Sequence, residues 1–156
     1  MEKEAEVKVV LPPVSQIGIV VKDIEKTAEY YTSMFGIGPF TVYDTGLPGA
    51  VSYGKPAPVK MKIALAQTGL IEIELIQPLE GGELYTEFLR NKGEGLHHLG
   101  IHVGDFETYD GLLAKLGNQG IKSPLSYRGR RLAFAYLDTQ VIGGVILELI
   151  HLEGRG

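Results

Sequence analysis

"HHLGIHVGDFETYDGLL", residues 97–113, has a counterpart early in the chain: "SQIGIVVKDIEKTAEYY", residues 15–31. Each stretch has a polar residue, then apolar–Gly–apolar–x–Val, then x–Asp and a helical pattern. Without a gap, Gln16 falls on His98, Gly18 on Gly100, Val21 on Val103 and Asp23 on Asp105. A second pair follows. "LIEIELIQP" (70–78) matches "GVILELIHL" (144–152) and sets Glu74 on Glu148. Two copies of one supersecondary unit are the economical reading. The first copy is the longer, and "TGLPGAVSYGKPAPV" (45–59), rich in Gly and Pro, reads as a loop that carries the excess.

Each copy has the same order of elements. A strand at 15–21 leads to Asp23, a helix N-cap, and a helix runs to about Phe35, where Gly36 or Gly38 would stop it and Pro39 forbids continuation. Strands at 40–44, 60–67 and 71–77 follow, with a turn at Thr68–Gly69. The second copy predicts a strand at 97–103, a helix at 105–119 and strands at 124–128, 132–138 and 144–150. That is βαβββ twice, an α+β chain. "GGELYTEFLRNKG" (81–93) reads as a helical connector that Gly93 ends.

Strand alternation puts Gln16, Gly18 and Val20 on one face and Ile17, Ile19 and Val21 on the other, which packs under the helix. By the same rule His98, Gly100 and His102 share a face, Glu74 lies with Glu72 and Ile76, and Glu148 lies with Ile146 and Ile150. Gln16 and His98 are each followed on their face by a glycine, which leaves room for something to approach. Glu148 is the most unusual, a carboxylate within an almost continuous apolar run, costly to bury without a partner. Repeated units bring equivalent residues together about a pseudo-twofold axis, so Gln16, Glu74, His98 and Glu148 are expected to meet in one cleft. An imidazole, two carboxylates and an amide oxygen suit one divalent cation, with Zn, Co, Ni, Mn and Mg all open. Taken singly, a strand glutamate is usually exposed or paired with a lysine, and a single histidine is usually a hydrogen-bonded core residue. His102 is a candidate substrate contact. His97 is expected to cap the start of its strand, and His151 to lie on the surface. Arg128, Arg130 and Arg131 crowd the turn of "YRGRRLAFAYL" (127–137), where they either meet substrate anions or form a solvated hairpin.

Composition narrows the partners. The 156 residues carry a net charge of -4, which argues against a general nucleic-acid binder. No apolar run is long enough to span a bilayer, and "MEKEAEVKVV" has the charge of a solvated tail rather than a leader, so a cytoplasmic location is expected. Cysteine is absent, which excludes disulfides and thiolate metal sites.

At these residues the chain resembles the vicinal oxygen chelate superfamily of glyoxalase I, methylmalonyl-CoA epimerase, extradiol dioxygenases and bleomycin-resistance proteins. The resemblance covers 14–152: a single domain of two modules, 14–78 and 97–152, joined by a connector at 79–96 and preceded by a tail at 1–13. It implies paired βαβββ modules in a cupped mixed sheet, helices outside, with Gln16, Glu74, His98 and Glu148 as ligands of one divalent ion. It also implies a homodimer. The texture of "GLHHLGIHVGDFETYDGLLAKLGNQGIK" and "IELIQPLEG" is similar to the epimerases. They usually carry His where Gln16 stands, and a further glutamate on the strand that here reads "PVKMKIALA" (58–66), with Lys60 and Lys62. Gln–Glu–His–Glu is the ligand order of one glyoxalase I class, which has an Asn near the place of Pro78. The implied activity is abstraction of a proton alpha to a metal-bound carbonyl, with Glu148 the first base and Glu74 the second. The substrate is an acyl-CoA or a glutathione hemithioacetal, and a non-enzymatic binding protein of the same fold is the alternative. A ring-cleaving dioxygenase needs a two-His, one-carboxylate iron site, and position 16 supplies glutamine.

Overall fold

The computed structural model describes residues 7–154. Residues 1–6 of the expected tail lie outside them, and Leu11, within that tail, packs against the second half of the core. The first unit comprises β1 (Gln16–Val20), α1 (Ile24–Phe35), β2 (Thr41–Leu47), β3 (Val51–Ser52), β4 (Lys55–Pro56), β5 (Val59–Thr68) and β6 (Ile71–Glu80). The connector helix α2 (Glu83–Lys92) follows. The second unit comprises β7 (Gly95–His102), α3 (Phe106–Asn118), β8 (Ser126–Arg128), β9 (Leu132–Leu137) and β10 (Ile146–Leu152). Local chemistry sets the helix ends. Asp23 accepts from the Lys26 N–H and Asp105 from the Thr108 N–H, and Gly36 closes α1 at a φ of 67°, which glycine adopts without steric cost.

All ten strands form one mixed, curled sheet in the order β2-β5-β6-β1-β7-β10-β9-β8-β3-β4. β1 runs parallel to β6, and β7 parallel to β10. The two units join where β1 meets β7 antiparallel, with Gln16 opposite Gly100 and Gly18 opposite His98. This joint is the pseudo-twofold axis of the repeat.

One expectation is corrected here. Residues 45–59 are not a plain loop: β2 continues to Leu47, and the short β3–β4 hairpin leaves the first unit to pair Val51 with Ser126 on β8 of the second. Leu47 and Ala50 are buried in the core, and that apolar anchoring draws a Gly- and Pro-rich segment into the sheet.

Alternation on the strands divides the core. On the convex side Ile19, Val21 and Leu75 meet Ile24 and Ala28 of α1, while Ile101, Leu149 and Ala135 meet Tyr109 of α3. Inside the cup Val20, Ile76, Ile146, Ile150, Phe134 and Tyr136 form a third cluster. The connector α2 brings Tyr85, Leu84 and Phe88 against this inner cluster. A buried aliphatic or aromatic side chain contributes about 1.5–3 kcal/mol relative to exposure, so all three clusters hold in place the strands that carry Gln16, Glu74, His98 and Glu148. Among the described residues no helix is long and apolar enough to cross a membrane.

Candidate metal centre and cavity

Four side chains from four strands converge where β1 and β7 meet. His98 Nε2 lies 3.2 Å from Gln16 Oε1, 3.1 Å from Glu148 Oε2 and 3.4 Å from Glu74 Oε1. Ligand atoms of Glu74, His98 and Glu148 all fall within 4.8 Å of one another. All four residues belong to one chain. They are buried to differing degrees: His98 is wholly enclosed, Gln16 and Glu148 are nearly so, and Glu74 is the most accessible.

The two glycines of the repeat explain how the side chains fit. A β-carbon on Gly18 would collide with the His98 ring, and one on Gly100 would lie 2.6 Å from Gln16 Oε1. What approaches each glycine is the candidate ligand of the other unit.

The arrangement fits a divalent cation. With ligand bonds of about 2.1 Å, neighbouring donor atoms are separated by roughly 3.0–3.4 Å in octahedral to tetrahedral shells. The separations around His98 Nε2 match that range. Glu148 Oε2 is buried without a hydrogen-bond partner, although His98 Nε2 is close. A buried carboxylate oxygen left so is costly, and a cation supplies what it lacks.

Electrostatics point the same way. Burial raises the pKa of Glu148 to about 8, and Glu74 adds to the rise, while His98 and the Tyr136 hydroxyl oppose it. Burial works against a charge on His98, but Glu148 and Glu74 outweigh it and raise its pKa. Without a cation the cluster therefore retains protons, which a bound ion would displace.

His97 is not a strand cap. It is buried beneath α2, its ring against Tyr85, Phe88 and Tyr136, with Nδ1 3.0 Å from His98 Nδ1. Burial, reinforced by His98, lowers its pKa to about 3, so it stays neutral and can accept the Nδ1 proton of His98. That would leave His98 Nε2 free as a donor atom. His151 is not on the surface either: it is buried, bonds the Val103 carbonyl through Nδ1 at 2.8 Å and packs on Phe106. Both histidines sit in apolar runs that the packed helices cover.

A cavity of about 430 Å³ opens beside the cluster. Gln16, Glu74, Glu148 and His102 line it, with aliphatic walls from β5 and β10 such as Ile63 and Ile150. Sequence reasoning put Glu72 on the correct face but gave it no role. Glu72 is buried, lines the cavity and accepts from Gln16 Nε2 at 2.8 Å. Its position opposite Gln16 in the parallel β1–β6 pair was the signal available. Arg128, Arg130 and Arg131 are exposed and outside this cavity lining. Arg128 is held by Asp110 at 3.1 Å and lies over the Phe106 ring.

A family model described as the glyoxalase/bleomycin resistance protein/dioxygenase superfamily matches residues 15–135. The chain belongs to that superfamily. The matched span includes Gln16, Glu74 and His98, and stops before β10 and Glu148. Among curated members, human mitochondrial methylmalonyl-CoA epimerase is 25% identical over 137 residues, 86% of this chain and 71% of that protein. The crystal structure of methylmalonyl-CoA epimerase from Mycobacterium tuberculosis superposes with a TM-score of 0.64 at 22% identity, covering 97% of this chain and 93% of that one. A Streptomyces coelicolor methylmalonyl-CoA epimerase in complex with 2-nitronate-propionyl-CoA gives 0.63 at 21% identity, covering 93% and 97%. These solved structures share the superfamily fold.

Proposed function

We propose that this superfamily member is a divalent-metal-dependent isomerase that removes a proton alpha to a thioester carbonyl, as a methylmalonyl-CoA epimerase does. The observation that carries the reading is the convergence of Gln16, Glu74 and Glu148 oxygens on His98 Nε2, with one buried carboxylate oxygen left without a partner beside a cavity. Epimerases among the relatives and structural neighbours supply the acyl-CoA class.

Gln16, Glu74, His98 and Glu148 would hold the ion, and when bound it supplies Lewis acidity to a substrate oxygen. The chain's own residues do the rest. The aliphatic walls exclude water from around the acyl group. Glu148 sets a carboxylate at the cavity wall, where it takes the alpha proton. Glu74, the more accessible carboxylate, returns a proton to the same carbon. Tyr85 and Tyr136, joined through their hydroxyls at 2.8 Å, stay neutral because burial raises both pKa values well above the phenol range.

The ligand order Gln–Glu–His–Glu favours one second reading, a lactoylglutathione lyase acting on the methylglyoxal–glutathione hemithioacetal. Assaying purified, metal-loaded protein for methylmalonyl-CoA epimerisation against hemithioacetal isomerisation separates the two. Turnover of the acyl-CoA is the expected result. Turnover of the hemithioacetal alone transfers the assignment to the lyase, and metal-loaded protein inert toward both favours a binding protein.

A further inference from the structure

We infer that Glu72 is a positioning residue that orients the amide of Gln16 for metal binding. The inference rests on the metal-dependent reading above and adds to it a residue outside the four ligands.

Three observations on neighbouring strands carry it. Glu72 and Gln16 face each other in the parallel β1–β6 ladder, both buried, with Nε2 donating to Glu72 Oε1 at 2.8 Å. Glu72 Oε1 accepts this bond, so the edge of the amide turned toward it is the NH2. The Gln16 oxygen is thereby obliged to face His98 Nε2, 3.2 Å away. A free glutamine side chain would present either end, and a cation binds only the oxygen.

The far side of Glu72 is also defined. Ser15 Oγ accepts the backbone N–H of His102 at 3.2 Å and lies 2.7 Å from His102 Nδ1. His102 Nε2 is 3.8 Å from Glu72 Oε1. His102, held at Nδ1 by Ser15 Oγ, thus sets its Nε2 toward the carboxylate while Gln16 Nε2 donates to the same oxygen. The cluster assigns His102 a place in the cavity wall through Glu72.

The test measures metal affinity and structure at the ion rather than turnover. Metal-free wild-type protein is titrated with Co(II) against a chelator, following the visible absorption of the bound ion, with Glu72→Leu, Glu72→Asp, Glu72→Gln and Gln16→Ala in parallel. Wild type should bind about one ion per chain. Loss of an orienting partner costs about 10–100-fold in affinity, and that loss is expected for Glu72→Leu with a changed cobalt spectrum. Glu72→Asp, which withdraws the acceptor by one methylene, should fall between. Glu72→Gln can still offer an oxygen to Gln16 and should recover both affinity and spectrum to within about threefold. In the Gln16→Ala background, Glu72→Leu should have less than about a twofold further effect, because coupled residues are not additive. Wild-type affinity in Glu72→Leu, or an undiminished effect in Gln16→Ala, overturns the inference while leaving the metal site standing. Should Glu72→Leu not fold, equal affinities for Glu72→Asp, Glu72→Gln and wild type overturn it instead. Wild-type protein that binds no divalent ion overturns the metal reading itself.

Discussion

The imidazole of His98 occupies the space that a β-carbon on Gly18 would fill, and Gln16 does the same over Gly100. Each unit of the repeat supplies both a candidate ligand and the hollow that receives its counterpart across the β1–β7 joint. Gly18→Ala should therefore displace the His98 ring. Overpacking of this kind costs about 1–3 kcal/mol. We expect a lower melting temperature and at least a tenfold loss of metal affinity. Gly111→Ala, where an added β-carbon meets nothing, is the control. Unaltered metal binding in Gly18→Ala would contradict the packing argument.

Purified protein should hold about one divalent ion per chain, and His98→Ala should lose most of it, because the imidazole sits at the centre of the three oxygens. Gln16→His should keep the ion, since imidazole is the stronger donor. Elemental analysis after dialysis checks both. Full retention by His98→Ala removes the assignment.

Glu148→Gln keeps the shape and an oxygen donor but removes the proton acceptor. It should retain appreciable metal and lose proton exchange at the substrate alpha carbon by roughly a hundredfold or more. Deuterium wash-in from heavy water into a bound acyl-CoA, read by NMR, is the measurement. Exchange at the wild-type rate would move the base to Glu74.

Metal-free protein should lose stability as pH rises from about 6.5 to about 8.5. Glu148, at about 8, and His98 both have pKa values raised in the folded state, so the folded chain binds more protons than the unfolded one across that window. The stabilisation from Glu148 is complete only below its unfolded value of about 4.5 and that from His98 below about 6.5, and both disappear as pH rises through the raised folded values. His97, lowered to about 3, acts in the opposite sense, but only below its unfolded value of about 6.5. A fall in melting temperature of about 4–8 °C is expected. Saturating divalent ion should abolish the fall, because it binds the deprotonated cluster. Melting temperatures that rise with pH in the metal-free protein would refute the account.

The repeat was legible because it is written twice: the Gln16/His98 and Glu74/Glu148 correspondences align without gaps and pass directly into the strand pairing. Helix boundaries were legible through Asp23, Gly36 and Asp105, whose chemistry is local. What escaped depends on contacts between distant segments. Nothing near His151 announces that Phe106 and the Val103 carbonyl will enclose it. His97 reads as a strand-end polar residue until α2 is laid over it. Glu72 gains its role only from Gln16, on a strand far away in sequence.

The β3–β4 hairpin belongs to the first unit by sequence and to the second by hydrogen bonding. During synthesis its place in the sheet does not exist until β8 has left the ribosome. Until then the apolar Leu47 and Ala50 lack the Leu125 and Phe134 of the second unit that share their core cluster. Folding of the first unit alone is thus incomplete, and such non-local pairing is intrinsically slow. The nascent chain carries an exposed apolar segment that chaperones or a rapid second half must shelter.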